Sequence, residues 1–418
     1  MEFKKNKDRI LFGAYTPLVM DKVDEEQVKT IAEGGIHYAL LGYDTFFTMP
    51  LEKRIEIIGW CEKYDVEVVI HDRAVLVNYS DVCRENFDKS KAEYANWYAS
   101  FPNFAGNSLV DEPGTEAFEV LGKSVEDYME IFPNKQPWIN LLPMYANTKQ
   151  LTGGAWMASI EYYETPDTSY QQYLDEYIDK VPTDYICVDI YPCHHVNGIK
   201  KTYKGYVKNI EMVADACRKS GREFWVCLQS CTWSPENVRI PDEADMRWQV
   251  YTMMSYGVKN CLYYVYAYLP NHFGTPIDEN GNKTPLWYIC KDIYEELDNY
   301  ASVFSLYKNL GAYSHNNSKA TPYLNMDNPY RGVKVISEIV CEDALLIGYF
   351  EKKEGKGSAF TLVNMSDLVL NKSVDIKLKI NGEIVTAYIN GQANVLIPED
   401  GYYKFDLESG NGVFVTVE

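Results

Sequence analysis

Eight times between Ile10 and about residue 305, a short apolar or β-branched run surfaces and gives way to a longer segment. The runs are "ILFGAYTP" (Ile10–Pro17), "HYALLGYD" (His37–Asp44), "VEVVIHD" (Val66–Asp72), "FAGNSLVDE" (Phe104–Glu112), "PWINLLPMY" (Pro137–Tyr145), "DYICVDIYP" (Asp184–Pro192), "FWVCLQSCTW" (Phe224–Trp233) and "NCLYYVYAY" (Asn260–Tyr268). The clearest intervening segments are "DEEQVKTIAEGG", "LEKRIEIIGWCEKY", "SYQQYLDEYIDKV", "YKGYVKNIEMVADACRKSG" and "ADMRWQVYTMMSYGVKN". In them apolar residues recur at three and four, the signature of a helix with one buried face. Gly35 and Gly221 stand where a helix C-cap belongs. Strands alternating with amphipathic helices predict an α/β fold with a parallel sheet, and eight such units predict a (β/α)8 TIM barrel. An open doubly wound sheet would carry a Gly-rich phosphate turn after its first strand, and "FGAYTP" has none.

The texture changes after about residue 310. "DALLIGYFEKKEGKGSAFTLVNMSD", "VDIKLKINGEIVTAYINGQ" and "DGYYKFDLESGNGVFVTVE" are short alternating runs broken by Asn-Gly, Glu-Gly and Asp-Gly. These are hairpin signals, and they predict a small antiparallel β-sandwich. The expected division is a catalytic barrel over residues 1–310 and a C-terminal β domain over 311–418, as a chain of 418 residues favours two domains. The tail holds no convergent polar set, so packing or homo-oligomerisation is its expected role.

A net charge of −20 without a basic run argues against nucleic acid or an anionic membrane as partner. No apolar stretch has spanning length, and "MEFKKNKDRI" lacks the apolar core of a secretory signal. Ten scattered Cys without a CxxC spacing read as reduced thiols, which points to the cytoplasm.

In a barrel of this kind chemistry sits at the C-terminal ends of the strands. Read in order, those ends carry Tyr15 and Thr16, Tyr43 and Asp44, His71 to Arg73, Asp111 and Glu112, Asn140 and Tyr145. Asp189, Tyr191, His194 and His195 follow, then Gln229, Ser230 and Trp233, and last Tyr264, Tyr266 and Tyr268. Carboxylates, amides, His and aromatic rings around one mouth describe a carbohydrate site. Glu112 ends strand four beside a second carboxylate, and both burial and a like charge raise a carboxyl pKa toward that of a general acid. Strand alternation would turn Asp111 to the opposite side, with orientation of Glu112 or a hydroxyl contact as its role. Asp189, inside the apolar run "CVDIYPCHH", is costly unless it faces a polar lumen, and it is the expected second carboxylate. Asp44, His71, Arg73, Asn140, Tyr191, His194, His195, Gln229, Trp233 and Tyr266 are the expected substrate contacts, with Trp156 a further stacking platform.

The order of eight βα units, the "DEP" of Asp111–Pro113 and the trailing β domain resemble clan A glycoside hydrolases. "MRWQVYTMMSYGVKNCLYYVY" (Met246–Tyr266) and "KTPLWYICKDIYEEL" (Lys283–Leu297) are similar to the last βα units of galactosidase-like members. In that clan the motif after strand four is commonly Asn-Glu-Pro with its Glu as acid/base, so the resemblance implies that role for Glu112. Two departures stand out. Asp111 replaces the Asn, and Gln229 lies in "CLQSCTW" about where the clan's strand-seven nucleophile belongs. Some α-glycosidase barrels place their two acids after strands four and six, which fits Glu112 or Asp111 with Asp189.

Other barrel chemistries lack their residues. No strand end offers the Lys of a Schiff-base aldolase, and strand one has no His-x-His for a metal-dependent amidohydrolase. Cys193, His194 and His195, even with Cys231, lack the spaced second pair of a zinc site. No metal and no cofactor are therefore expected. The function read from the sequence is a glycosidase cleaving a small oligosaccharide or glycoside with two carboxylates. A barrel that binds carbohydrate without catalysis is the alternative.

Overall fold

The computed structural model describes residues 8–73, 75, 89–154, 169–316 and 332–418. Trp156 lies outside them. Eight parallel strands form one sheet: Leu11–Tyr15, Tyr38–Leu41, Glu67–Ile70, Phe104–Asp111, Gln136–Asn140, Tyr185–Asp189, Glu223–Gln229 and Asn260–Tyr264. Their spatial order is five-four-three-two-one-eight-seven-six. Strands five and six meet through a parallel bridge between Leu141 and Val188, with Leu141 N–H donating to the Cys187 carbonyl at 2.9 Å. The sheet is a nearly closed (β/α)8 barrel.

Each strand surfaces where its apolar run stops, and the helices follow local signals. Asp24 caps the helix Glu25–Glu33 by accepting from Gln27 N–H, and Gly221 ends the helix Tyr206–Ser220 in the left-handed conformation that glycine takes without strain. The barrel lumen is filled from below by rings. Tyr185 stacks on Trp225 at 3.7 Å between centroids, Trp225 meets Trp138 at 5.4 Å, and Trp138 meets Tyr38 at 5.7 Å. Tyr38 occupies its space because strand one has Gly13 opposite, where a Cβ would stand 2.0 Å from the ring. This aromatic plug is a floor, so the open part of the lumen lies at the strands' C-terminal ends.

After the helix Pro285–Ser305, the strand Tyr307–His315 already belongs to the antiparallel part, so that texture begins a few residues before 311. Six strands and three strands form two antiparallel sheets with a core of their own between them. This β-sandwich rests on the helix Glu243–Ser255. That helix is buried almost all round, including Met246, Trp248, Val250, Met253 and Met254, because the barrel covers one side and the sandwich the other. Ser255 shares a 2.7 Å hydrogen bond with Thr361 across the seam, and Tyr300 stacks on Phe414 at 5.9 Å. Burying each large apolar side chain there contributes about 1.5–3 kcal/mol. Among the described residues no helix is long and apolar enough to cross a membrane.

Candidate active site

A cavity of about 270 Å³ opens at the C-terminal ends of the barrel strands. Three carboxyl groups project into it: Asp111 and Glu112 from strand four and Asp189 from strand six. Alternation along a strand would have separated Asp111 from Glu112. The structure brings both to one cavity for two local reasons. The pairing of strands four and five slips between Ser108 and Val110, a bulge that re-aims the residues beyond it. Glu112 then leaves the strand with φ of 47°, a conformation costly for a non-glycine residue and retained mostly at functional sites. Its N–H is held by the Asn140 carbonyl at 2.8 Å, and Tyr173 donates its hydroxyl to the Pro113 carbonyl at 2.7 Å. Gly114 follows because the segment passes close under the helix Thr148–Gly153, where a Cβ would meet the Thr152 carbonyl at 2.2 Å.

Asn140, at the end of strand five, ties the acids together. Its Nδ2 donates to Asp189 Oδ1 at 2.9 Å and to Asp111 Oδ1 at 3.2 Å. Its Oδ1 faces the thiols of Cys187 and Cys227 at 3.6 and 3.7 Å. Asp189 is buried, whereas Asp111 is exposed at the mouth. Glu112 donates a carboxyl hydrogen bond to Asp189. Burial first, then the charges of Asp189 and Asp111, push the Glu112 carboxyl far above the usual carboxylate range. Burial and Asp111 also raise Asp189, against which the bonds from Asn140 and Glu112 favour its charged form. The arrangement is a Glu112 that holds its proton beside an Asp189 whose pKa, raised to about 7, stays below that of Glu112.

A crescent of rings completes the wall. Tyr43 meets Tyr15 at 4.4 Å, Tyr15 meets Tyr264 at 5.1 Å, Tyr264 meets Tyr191 at 5.2 Å and Tyr191 meets Trp233 at 4.9 Å. Tyr145 and Trp138 also line the cavity. Such rings present apolar faces and polar edges, which suits a sugar ring. No Lys, Arg or His side chain lines it among the described residues. No cluster of His, Cys, Asp and Glu among those residues is arranged to hold a metal ion.

Of the residues expected from sequence, Asp111, Glu112, Asn140, Asp189, Tyr191 and Trp233 converge here. Others stand behind the wall. His71 stacks on Tyr43 at 3.5 Å, and both reach Ser108 Oγ, His71 through Nδ1 at 3.3 Å and Tyr43 through its hydroxyl at 2.7 Å. Burial holds the His71 pKa down to about 4, so it is a neutral prop. His194 donates from Nε2 to the Tyr191 carbonyl at 3.0 Å, and the His195 N–H donates to the Asn237 carbonyl. Asp44 accepts from the Phe46 N–H at 2.8 Å, with burial raising its pKa to about 6, and Arg73 is exposed.

Two expectations are corrected outright. Gln229 has the parity of the lumen-facing Trp225 and Cys227, yet its amide is sealed under a loop. Its Oε1 accepts from Cys193 N–H at 2.8 Å and its Nε2 donates to the Arg239 carbonyl at 2.9 Å, so it has no face on the cavity. Tyr266 turns outward into the helix layer, where its hydroxyl packs over Gly34. Sequence reasoning passed over Trp138, Cys227 and Leu262, which line the cavity. The two-residue period back from Asn140, and forward from Trp225, was the available signal for Trp138 and Cys227.

No family model and no curated protein matches the chain. Solved structures do. A GH42 β-galactosidase from G. stearothermophilus aligns with a TM-score of 0.55 at 9% identity, covering 98% of each chain. An α-amylase from Anoxybacillus gives 0.53 at 8% identity over 99% of this chain and 98% of the other. A β-galactosidase from Bacillus circulans sp. alkalophilus gives 0.51 at 9% over the whole of both chains. At such identities the likeness establishes the fold alone, a (β/α)8 barrel with a β-sandwich behind it.

Proposed function

We propose that the protein is a glycosidase that hydrolyses an O-glycosidic bond of a small oligosaccharide or glycoside, with Glu112 as general acid and Asp189 as nucleophile or base. One observation carries the reading: Glu112 donates a hydrogen bond to Asp189 inside an aromatic-walled cavity. One carboxyl holds the proton that a leaving group needs, and the other holds the charge that an anomeric centre needs. The β-galactosidases and the α-amylase that share the fold support the same class of reaction.

Carboxyls in hydrogen-bond contact are closer than the about 5–5.5 Å that separates a retaining pair. A sugar ring must therefore enter between them and break their mutual bond. The Glu112 proton, released from Asp189, goes to the departing glycosidic oxygen. Asp189, still held by Asn140, is then free to bond the anomeric carbon or to take a proton from an attacking water. In the first case water later cleaves the glycosyl ester and returns a proton to Glu112. Asp111 keeps negative charge at the mouth and, through Asn140, orients Asp189.

The test is hydrolysis of a panel of aryl α- and β-glycosides by wild type, Glu112→Gln and Asp189→Asn, with folding checked by circular dichroism. The expected loss is about 10²–10⁴-fold or more for each variant. Full rate in Glu112→Gln on a substrate with a poor leaving group would sink the assignment. The sealed Gln229 in strand seven favours a second reading, a barrel that binds sugar without cleaving it. Saturable binding of a sugar to wild type, with no turnover of its glycosides, would select that reading.

A further inference from the structure

At the opposite end of the barrel a second cavity of about 270 Å³ opens between the barrel and the sandwich. It lies where strands seven and eight begin, on the far side of the aromatic plug from the three carboxyls. Its wall carries Arg218, Arg222, Lys259, Lys308 and Lys353 against a single carboxylate among the described residues, Glu223. In a chain with net charge −20 this is a local reversal of sign. The cations come from separate segments: the end of the helix Tyr206–Ser220, the lead-in to strand eight, and two sandwich strands or their ends.

The two arginines are fixed and the three lysines are not. Arg218 is held by Asp215 and by Asn309 Oδ1, the latter at 2.7 Å, and Arg222 donates to the Ile178 carbonyl at 2.7 Å. Lys259, Lys308 and Lys353 make no ion pair among the described residues. Glu223 already accepts from Trp225 Nε1 at 2.9 Å. Lys259 is half-buried over the Phe304 ring, 5.7 Å from its centroid. Burial and the Lys353 charge hold its pKa down to about 8. Like charges gathered in a partly desolvated cavity cost free energy that an anion offsets. Phe224, Phe304 and Phe350 add apolar wall beside the cations.

We propose that this seam cavity binds a small phosphomonoester, the phosphate meeting Lys259, Lys353 and the fixed guanidiniums while an attached ring packs on the phenylalanines. A doubly charged group suits cations converging from several segments better than a single carboxylate does. The site bridges barrel and sandwich, so its occupant ties the two together and stabilises the folded chain by mass action.

The test is thermal unfolding of the full chain with sodium phosphate and with glucose 6-phosphate as probes, against sodium chloride at matched ionic strength. The expected result is a saturable rise in Tm for both probes beyond the chloride control. Half-saturation should weaken by about tenfold or more in Lys259→Met and in the exposed-site variant Lys353→Met. Glu112→Gln should respond as wild type does. A response no larger than that to chloride would overturn the proposal. So would an undiminished response in Lys353→Met, or one lost in Glu112→Gln, which would put the anion in the other cavity.

Discussion

The Glu112 carboxyl donates its hydrogen bond to Asp189, joining the ends of barrel strands four and six across the mouth of one cavity. The pKa values of two groups of the same chemistry are thereby driven apart. Glu112 gains no bond that favours its ionised form, while Asp189 accepts from both Glu112 and Asn140. Asp111 sits near enough to raise both.

That last relation predicts a pH signature. With Glu112 as acid, kcat/KM falls as pH rises through its raised pKa. With Asp189 needed as carboxylate, kcat/KM falls as pH drops through its own. Asp111→Asn removes the negative charge that lifts both groups, so both limbs of the profile should move to lower pH, by about one unit. A profile displaced on one limb only would mean that Asp111 does not face both acids.

Stability should carry the mark of Glu112 as well. Its folded pKa lies above the unfolded value, so between the two the unfolded chain holds fewer protons than the native one. Stability from this group is full below the unfolded pKa and is lost as pH rises through the folded pKa. Glu112→Gln removes that loss. The variant should be more stable than wild type at neutral pH by about 1–3 kcal/mol, with the gain shrinking toward pH 4. Urea melts at pH 4 and pH 7.5 measure it, and a variant less stable than wild type at the higher pH would refute the buried, protonated Glu112.

The barrel itself was legible because each strand is an apolar run that stops abruptly and helices such as Glu25–Glu33 and Tyr206–Ser220 show a buried stripe. The helix Glu243–Ser255, covered on both sides, does not. Glu112 and Asp189 could be read from a carboxylate set where such a run surfaces. The joint placement of Asp111 with Glu112 could not, since it depends on a bulge at Ser108–Val110 and a left-handed turn at Glu112. Gln229 misled for a related reason. Its parity is right for the lumen, but the segments after strands six and seven, carrying Cys193 and Arg239, fold over it, and no local pattern announces such a cover. The cations of the seam cavity were equally hidden, because they converge only when the sandwich docks.

The cover over Gln229 rests on a buried ion pair. Arg239 is clamped by Asp245 at the start of the helix Glu243–Ser255, and its carbonyl receives the Gln229 amide. Asp245→Ala leaves the guanidinium buried without its partner and should cost about 3–5 kcal/mol. Because the same loop leads back to Trp233 in the cavity wall, KM for an active glycoside should rise in the folded fraction. Denaturation with kinetics on the same sample reads both, and a variant as stable as wild type would show that the pair does not anchor the loop.

Gln229→Glu separates this site from one that has simply lost its strand-seven nucleophile. If Gln229 faced the sugar, a restored carboxylate would raise turnover. In this structure the new carboxylate would replace a donor to the Cys193, Cys231 and Arg239 carbonyls, and would meet those oxygens as a buried like-sign group. The expected outcome is a loss of about 2–5 kcal/mol in stability with no gain in kcat, whereas Gln229→Met should cost less because it brings no buried charge. Melting curves and glycoside hydrolysis for the two variants decide the matter. A Glu variant that folds well and turns over faster than wild type would move the second carboxylate from Asp189 to strand seven.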